Sequence, residues 1–353
     1  MTAHNQKVLI ISVSGIGNTI LQSPLINALL NDQRYIIDVL FRDPIVQSIF
    51  QNDERIHAQF VLPKGSFNTF QFLSNLRRNH YDYSVTCFPS NRIWFHLLAF
   101  LIGAKKRVIH SYTIAKIRTL SFLSNIKISS SNDIHDVEQN LNLLEAFDLD
   151  PAKASKVLIF STSPSNDEFA NQFIKRNHLT DKKLVGIHPG SKYSERYKRW
   201  PQSNFVELIN SLNTDGMNCL IFAGPDEIDY TKDIYNRLAD QRKNILVIET
   251  KLNNIGSMIA QCHSFLSTDS GLGHIAIAKN IRTLAIIGPT NPIRIAPYGN
   301  KGEVISVNVK WSPCIGYPFT QTHSRIRCPY QFKCLNDLTV NMVYSKFKKM
   351  LSI

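Results

Sequence analysis

The sequence predicts an α/β protein of two domains, each built around an open parallel sheet. Three observations lead there: short β-rich apolar runs alternate with helical periodicity, several of those runs end in glycine turns, and 353 residues exceed one compact α/β unit. The chain is organised around residues 265–299, FLSTDSGLGHIAIAKNIRTLAIIGPTNPIRIAPYG, which read as strand, turn, helix and strand. At the break, Gly271 and Gly273 let the backbone approach a bound group, and the unpaired N–H groups of the next helical turn favour an anion such as phosphate. Two ordinary turns of an α/β domain fit the same spacing. The second strand ends in Gly288-Pro289-Thr290-Asn291-Pro292, which opens a further loop at the edge where parallel sheets bind ligands.

In chain order, residues 7–13 (KVLIISV) form a continuous apolar run, followed by Ser14-Gly15-Ile16-Gly17-Asn18-Thr19 and a helical pattern through Leu30. Ile20 stands where a dinucleotide fingerprint would place its third glycine, which disfavours a nicotinamide enzyme. Strands follow at 36–41, 83–87 and 107–110, with helices ending near Phe50, around 70–78 and near 93–101. The last of these is short and contains His96, and reads as a packed helix and not as an interfacial anchor. Residues 134–147 place Ile134, Val137, Leu141, Leu144 and Phe147 on one helical face and close the first domain. Asp148-Leu149-Asp150 is a pattern that can hold a divalent metal beside a nucleotide diphosphate; before Pro151 it reads as the polar end of that helix.

A strand at 157–160 leads into the hinge STSPSNDE and a helix to about Arg176, where the second domain begins. The strand 184–187 delivers His188-Pro189-Gly190-Ser191 to the sheet edge. Lys192, Arg196, Tyr197, Lys198 and Arg199 follow, all suited to phosphate oxygens or to a solvated loop, and then a helix to Leu212. The strand 220–223 ends in Gly224-Pro225-Asp226-Glu227, whose carboxylates can accept ribose hydroxyls, and 244–249 is one more strand. Residues 336–353 make a basic amphipathic helix.

Bulk properties narrow the class. Hydrophobic content of 43% and charged content of 19% suit a soluble globular protein, and no apolar run reaches the length that spans a bilayer. The N-terminus reads as a buried strand and not as a signal peptide, and six scattered cysteines suggest reduced thiols in a cytoplasmic enzyme. The net charge of +13 is uneven: residues 64–127 hold ten Lys or Arg against one acid, Asp82. That stretch suits an anionic membrane surface, a phosphorylated glycolipid or plain solvent, and nucleic acid is disfavoured because no zinc-finger, RNA-binding or basic-helix signature accompanies it.

Taken in order, the segments VLIISVSGIGNTILQSPLINAL, HDVEQNLNLLEAFDLDP, VGIHPGS, KRWPQSNFVELI, FAGPDE, STDSGLGHIAIA and GPTNPIRIAPYG resemble glycosyltransferase family 9, the heptosyltransferases of lipopolysaccharide core assembly. The resemblance implies the GT-B arrangement, two Rossmann-like domains facing across a cleft. Its expected parts are an acceptor-binding domain at 1–163, a nucleotide-sugar-binding domain at 164–335, and a helix at 336–353 returning to the first. It also implies an ADP-sugar donor, an anionic glycolipid acceptor, inversion without metal or cofactor, and a cytoplasmic enzyme peripheral on the inner face of the inner membrane.

Carried onto this chain, the donor-binding set is His188, Gly190, Ser191, Lys192, Lys198, Asp226, Glu227, Asp269, Ser270, Gly271, Leu272, Gly273, His274, Thr290 and Arg294, with Lys198 at the donor phosphates. The acceptor set is Gly15, Gly17 and Asn18. The family usually reads Gly-Asp where this chain has Gly17-Asn18, and that Asp is the expected base. An amide orients a hydroxyl but takes no proton, so Asp43 and Asp269 join Asn18 and Lys198 as catalytic candidates. Asp269 also fits a cap on its own helix. The rival readings are a catalytically silent relative that binds nucleotide-sugar or glycolipid, a transferase using another sugar donor or a protein acceptor, and a nucleotide-sugar epimerase. Cys314, Cys328 and Cys334 lack a C-x-x-C pair and read as free buried thiols, with a metal the alternative.

Overall fold

The structure, a computed structural model, describes residues 5–112, 120–249, 251–316, 318, 320–321 and 328–351. The chain forms two units, Met1–Ser161 and, in the main, Thr162–Gly316 with Thr320–Ile353. The expected division after residue 163 falls two residues beyond the first of these boundaries.

The first unit runs β1 (Gln6–Ser12), α1 (Ile16–Leu30), β2 (Tyr35–Phe41), α2 (Pro44–Gln47), β3 (Ala58–Val61), α3 (Ser66–Arg77), β4 (Tyr83–Thr86), α4 (Ile93–Ile102), β5 (Lys106–Ser111), β6 (Ile126–Ser129) and α5 (Asp136–Asn142). Its strands pair in parallel in the order β3-β2-β1-β4-β5-β6. β1 is buried from Val8 onward because helices cover both faces of a parallel sheet, which is why it reads as an unbroken apolar run. β3 and β6 carry mixed residues at the two edges and gave no clear sequence signal. On one face, Leu73 and Leu76 of α3 and Phe95, Leu98, Ala99 and Ile102 of α4 pack on Leu9, Ile11 and Leu40.

Residues 157–160 form no strand: Val157 is exposed, Leu158 and Phe160 are buried, and the Ile159 amide donates to Ser23 Oγ at 2.8 Å. The run is an extended connector whose backbone is satisfied by a side chain and not by a ladder. The helix expected over 134–147 divides into α5 and a 3₁₀ segment, Leu143–Phe147, that ends in the left-handed Asp148. Asp150 caps the next turn through the Ala152 amide at 2.9 Å, as a polar helix end requires.

The second unit runs α6 (Pro164–Arg176), β7 (Leu184–His188), α7 (Gln202–Thr214), β8 (Asn218–Phe222), α8 (Ile228–Asn236), β9 (Asn244–Val247), α9 (Leu252–Ala260), β10 (Ser264–Thr268), α10 (Gly271–Ala278), β11 (Arg282–Ile286), α11 (Pro292–Ile295), β12 (Gly302–Ile305), the short pair β13 (Ile315–Gly316) and β14 (Thr320–Gln321), α12 (Lys333–Asn336) and α13 (Val340–Leu351). Its six parallel strands stand in the order β12-β11-β10-β7-β8-β9, the same topology as the first sheet. The order reverses between β7 and β10, so the carboxyl ends of those strands form the switch point where such sheets bind ligands. The last helix was expected to return to the first domain. Its buried face, Val343, Phe347 and Met350, instead joins the core of the second unit, and Arg282 Nη1 donates to the Met350 carbonyl at 2.8 Å.

Candidate functional site

At the second unit's switch point, β7 ends in His188 and β10 runs into Asp269-Ser270 at the start of α10. Ser270 holds the N-cap position, yet no side chain caps α10, so the first N–H groups keep their capacity for an anion. Gly273 is required there: a Cβ would lie 2.6 Å from Ser267 Oγ. Ser270 Oγ lies 2.8 Å from His188 Nδ1, and His188 Nε2 lies 2.6 Å from Glu227 Oε1. Burial opposes the Glu227 charge, but His188, the Gly224 amide and the Arg199 guanidinium outweigh it and hold that carboxyl below its ordinary value. An ionised carboxylate has no proton to give, so His188 Nε2 is the donor and Nδ1 faces the serine.

Of the two carboxylates expected near a ribose, Asp226 is exposed and Glu227 is buried. Glu227 Oε1 accepts from the Gly224 amide at 3.0 Å, and Oε2 lies 3.9 Å from Arg199. Glu227 is therefore the internal brace of three loops, and Asp226 is left at the surface. Gly190 makes room for it, since a Cβ there would meet Glu227 Oε2 at 2.1 Å.

The loop after β7 is pinned by Trp200, fully buried, whose Nε1 donates to the Leu338 carbonyl at 2.9 Å. That anchor presents Lys198, whose Nζ contacts Asp269 Oδ2 and Glu195 Oε2, each at 2.9 Å. Burial works against the ammonium, yet the two carboxylates outweigh it and raise Lys198 above its ordinary value. Thr290 Oγ1 also donates to Asp269 Oδ2, at 3.0 Å. Asp269 thus serves as a counter-ion to Lys198 and does not cap its own helix, correcting that expectation.

The other expected phosphate ligands divide. Lys192 and Arg196 are exposed, with the Arg196 guanidinium 4.6 Å from the Tyr193 ring centre. Tyr197 is buried, and Arg199 turns inward to Ser191 and lies 4.3 Å from the Tyr230 ring centre. Ser191, Leu272 and His274 are buried, and so is Arg294, whose Nη1 donates to the Gly316 carbonyl at 3.4 Å.

In the first unit, Gly15 is the N-cap of α1 without a side-chain cap, and Gly17 and Asn18 lie in its first turn. Behind them is a polar cluster that the sequence reading missed: Gln22 Nε2 donates to the Phe88 carbonyl at 2.8 Å and to Ser14 Oγ at 3.2 Å, and Ser12 Oγ donates to Gln22 Oε1. A glutamine on the buried face of a helix was its only sequence signal. Asp43 caps α2 through the Val46 amide at 3.0 Å, and its other oxygen lies 2.6 Å from Arg42 Nη2. Both oxygens are occupied by donors, which opposes a role as base.

Cys314, Cys328 and Cys334 line one cavity in the second unit, beside Trp311 and Tyr330, whose rings stack at 3.8 Å. Cys334 is buried as expected, whereas Cys314 and Cys328 are half-buried. Burial pushes the Cys334 thiol up to about 11. Among the described residues no group of three or more His, Cys, Asp or Glu side chains is arranged to hold a metal. Residues 113–119 of the basic stretch lie outside the described residues.

The two sheets and the loops at their carboxyl edges define a two-domain α/β protein of GT-B type. The chain belongs to glycosyltransferase family 9 (heptosyltransferase), whose model matches residues 69–323. Over 191 residues it is 28% identical to the lipooligosaccharide heptosyltransferase 2 of Campylobacter jejuni serotype O:6, a stretch covering 53% of this chain and 56% of that protein. The chain thus spans about half the length of such curated relatives. In structure it is similar to the glycosyl transferase family 9 protein from Veillonella parvula, with a TM-score of 0.80 at 18% identity over 100% of this chain and 99% of that one. It is also similar to E. coli ADP-heptose lps heptosyltransferase II, with a TM-score of 0.73 at 20% identity over 98% and 99%.

Proposed function

We propose that the chain is an inverting, metal-independent glycosyltransferase that moves heptose from ADP-heptose to the inner core of lipopolysaccharide at the cytoplasmic face of the inner membrane. The observation that carries this reading is the uncapped start of α10 beside Lys198, at the switch point of the second sheet. Main-chain N–H groups and one ammonium are what a departing diphosphate needs as negative charge develops on it. Similar proteins that carry heptosyltransferase names, one of them named an ADP-heptose lps heptosyltransferase, support the donor class.

In the proposed reaction an acceptor hydroxyl oxygen attacks the anomeric carbon opposite the diphosphate. The bond from that carbon to the phosphate oxygen breaks, its electron pair leaves with ADP, and the hydroxyl proton passes to a base. Lys198, Lys192, Ser270 and the α10 amides hold the diphosphate, Asp226 the ribose, and the loop Gly15–Asn18 the acceptor. Asn18 favours a second reading, a relative that binds nucleotide-sugar and does not turn it over.

Two measurements decide between these readings. Calorimetry with ADP and ADP-heptose should give saturable heat that falls about 100-fold in affinity in Lys198→Ala, because a half-buried charged partner is lost. ADP release should depend on added core acceptor and persist with a chelator present. Binding without release supports the silent relative, and no heat with either nucleotide refutes both.

A further inference from the structure

We propose that the outer face of α3, α4 and the 3₁₀ turn Ser121–Leu123 docks on an anionic phospholipid bilayer. The sequence reading took residues 93–101 as a packed helix, and the structure shows that only one side packs. Phe95, Leu98, Ala99 and Ile102 are buried, whereas Ile93, Leu97, Phe100 and Leu101, at the spacing of one helical stripe, are exposed. On neighbouring α3, Leu73 and Leu76 face the core while Phe67 and Phe70, one turn apart, are 79% and 66% exposed. Phe122, in the turn packed beside α4, is 69% exposed. Seven large apolar side chains on three adjacent elements form a patch and not scattered surface residues.

The charge around this patch selects its occupant. Lys64 precedes α3, Arg78 ends it, and Arg92 precedes α4, all of them exposed. The one acid of the stretch, Asp82, is tied to Lys105 at 2.8 Å and to the Lys7 amide at 3.0 Å. Exposed phenylalanines flanked by cations insert at the level of lipid headgroups and gain from anionic lipid. A second copy of the same face would set cations against cations, which disfavours a symmetric dimer there. The proposal concerns the first unit alone; it deepens and rests on the membrane-face part of the proposed function, and its failure leaves the donor reading standing, since it needs no nucleotide.

The test is co-sedimentation of the full chain with vesicles of phosphatidylcholine alone or with roughly one-third phosphatidylglycerol. The expected result is binding to the anionic vesicles that weakens as salt rises. A Phe67→Ser/Phe70→Ser/Phe100→Ser variant should bind at least about tenfold less, with its melting and its heat on ADP addition unchanged. Lys64→Gln/Arg78→Gln should bind about 30-fold less, and it carries the test by itself if the serine variant fails to fold. No binding of the parent to anionic vesicles overturns the proposal. So does parental binding by the charge variant, or a dimer that depends on Phe67 and Phe100 without vesicle binding.

Discussion

Replacing Glu227 probes the brace beneath the candidate donor loops. Its carboxylate accepts from His188 at 2.6 Å and from the Gly224 amide at 3.0 Å, and it lies 3.9 Å from Arg199. In Glu227→Ala, His188 and Arg199 lose their shared anion inside the fold. Removing one partner of a buried pair costs about 3–5 kcal/mol. For a unit of roughly 190 residues, each kcal/mol lowers Tm by about 2–4 °C, so the expected fall is about 6–20 °C. Glu227→Gln keeps the volume and an acceptor oxygen and loses the charge. It should cost about 1.5–3 kcal/mol, or about 3–12 °C. The sign with pH follows from the direction of the shift. A carboxyl held below its ordinary value stabilises the fold above its unfolded pKa, and that contribution is lost as pH falls through the folded value. The gap in Tm between parent and Glu227→Gln should therefore be full at neutral pH and close below about pH 4.3. Differential scanning calorimetry from neutral to acid pH measures both. A Glu227→Ala protein that melts with the parent at neutral pH would refute the brace.

Two further substitutions test neighbouring claims. Gly190→Ala puts a Cβ 2.1 Å from Glu227 Oε2, which His188 and Gly224 prevent from swinging away. The strain should cost about 1–3 kcal/mol and weaken ADP binding, and an unchanged melting curve with full ADP affinity would show that Glu227 does not occupy that space. Asn18→Asp places a carboxylate in the first turn of α1, where the helix N-terminus favours its charge. Acceptor-dependent ADP release should rise about 100-fold if the hydroxyl proton is taken at this position, and an unchanged rate would send the search for the base elsewhere.

Much of the fold was legible because parallel strands covered on both faces must be apolar throughout. KVLIIS at β1 and LVGIH at β7 announce themselves in this way. The edge strands β3, β6 and β12 are only partly buried, so AQFV, IKIS and GEVI carry no such run. Residues 157–160 show the converse error: an apolar run whose buried side chains pack under a connector with no strand partner. At the site, the glycine turns and the lysine were readable as residue types, but the direction of each side chain was not. Asp226 and Glu227 are adjacent carboxylates, and only the backbone turn at Gly224-Pro225 decides which of them enters the interior. Asp269 likewise has the composition of a helix cap, and Lys198, brought close by the loop anchored on Trp200, takes its oxygen instead.

The asparagine at position 18 bears on one half of the proposed chemistry and leaves the other half intact. Glycosyl transfer needs a base for the acceptor hydroxyl and positive partners for the departing diphosphate. A missing base costs about 10²- to 10⁴-fold, whereas preorganised donors aimed at developing charge are usually the larger contribution. Those donors, the α10 amides and Lys198, belong to the second unit and are held by groups that do not include residue 18: Asp269, Glu195, Trp200 and the His188–Glu227 pair. A relative that binds nucleotide-sugar without turning it over needs the same donors, so the brace supports diphosphate binding in both readings. The two readings therefore divide at residue 18, where a carboxylate supplies a base and the amide does not, and Asn18→Asp separates them.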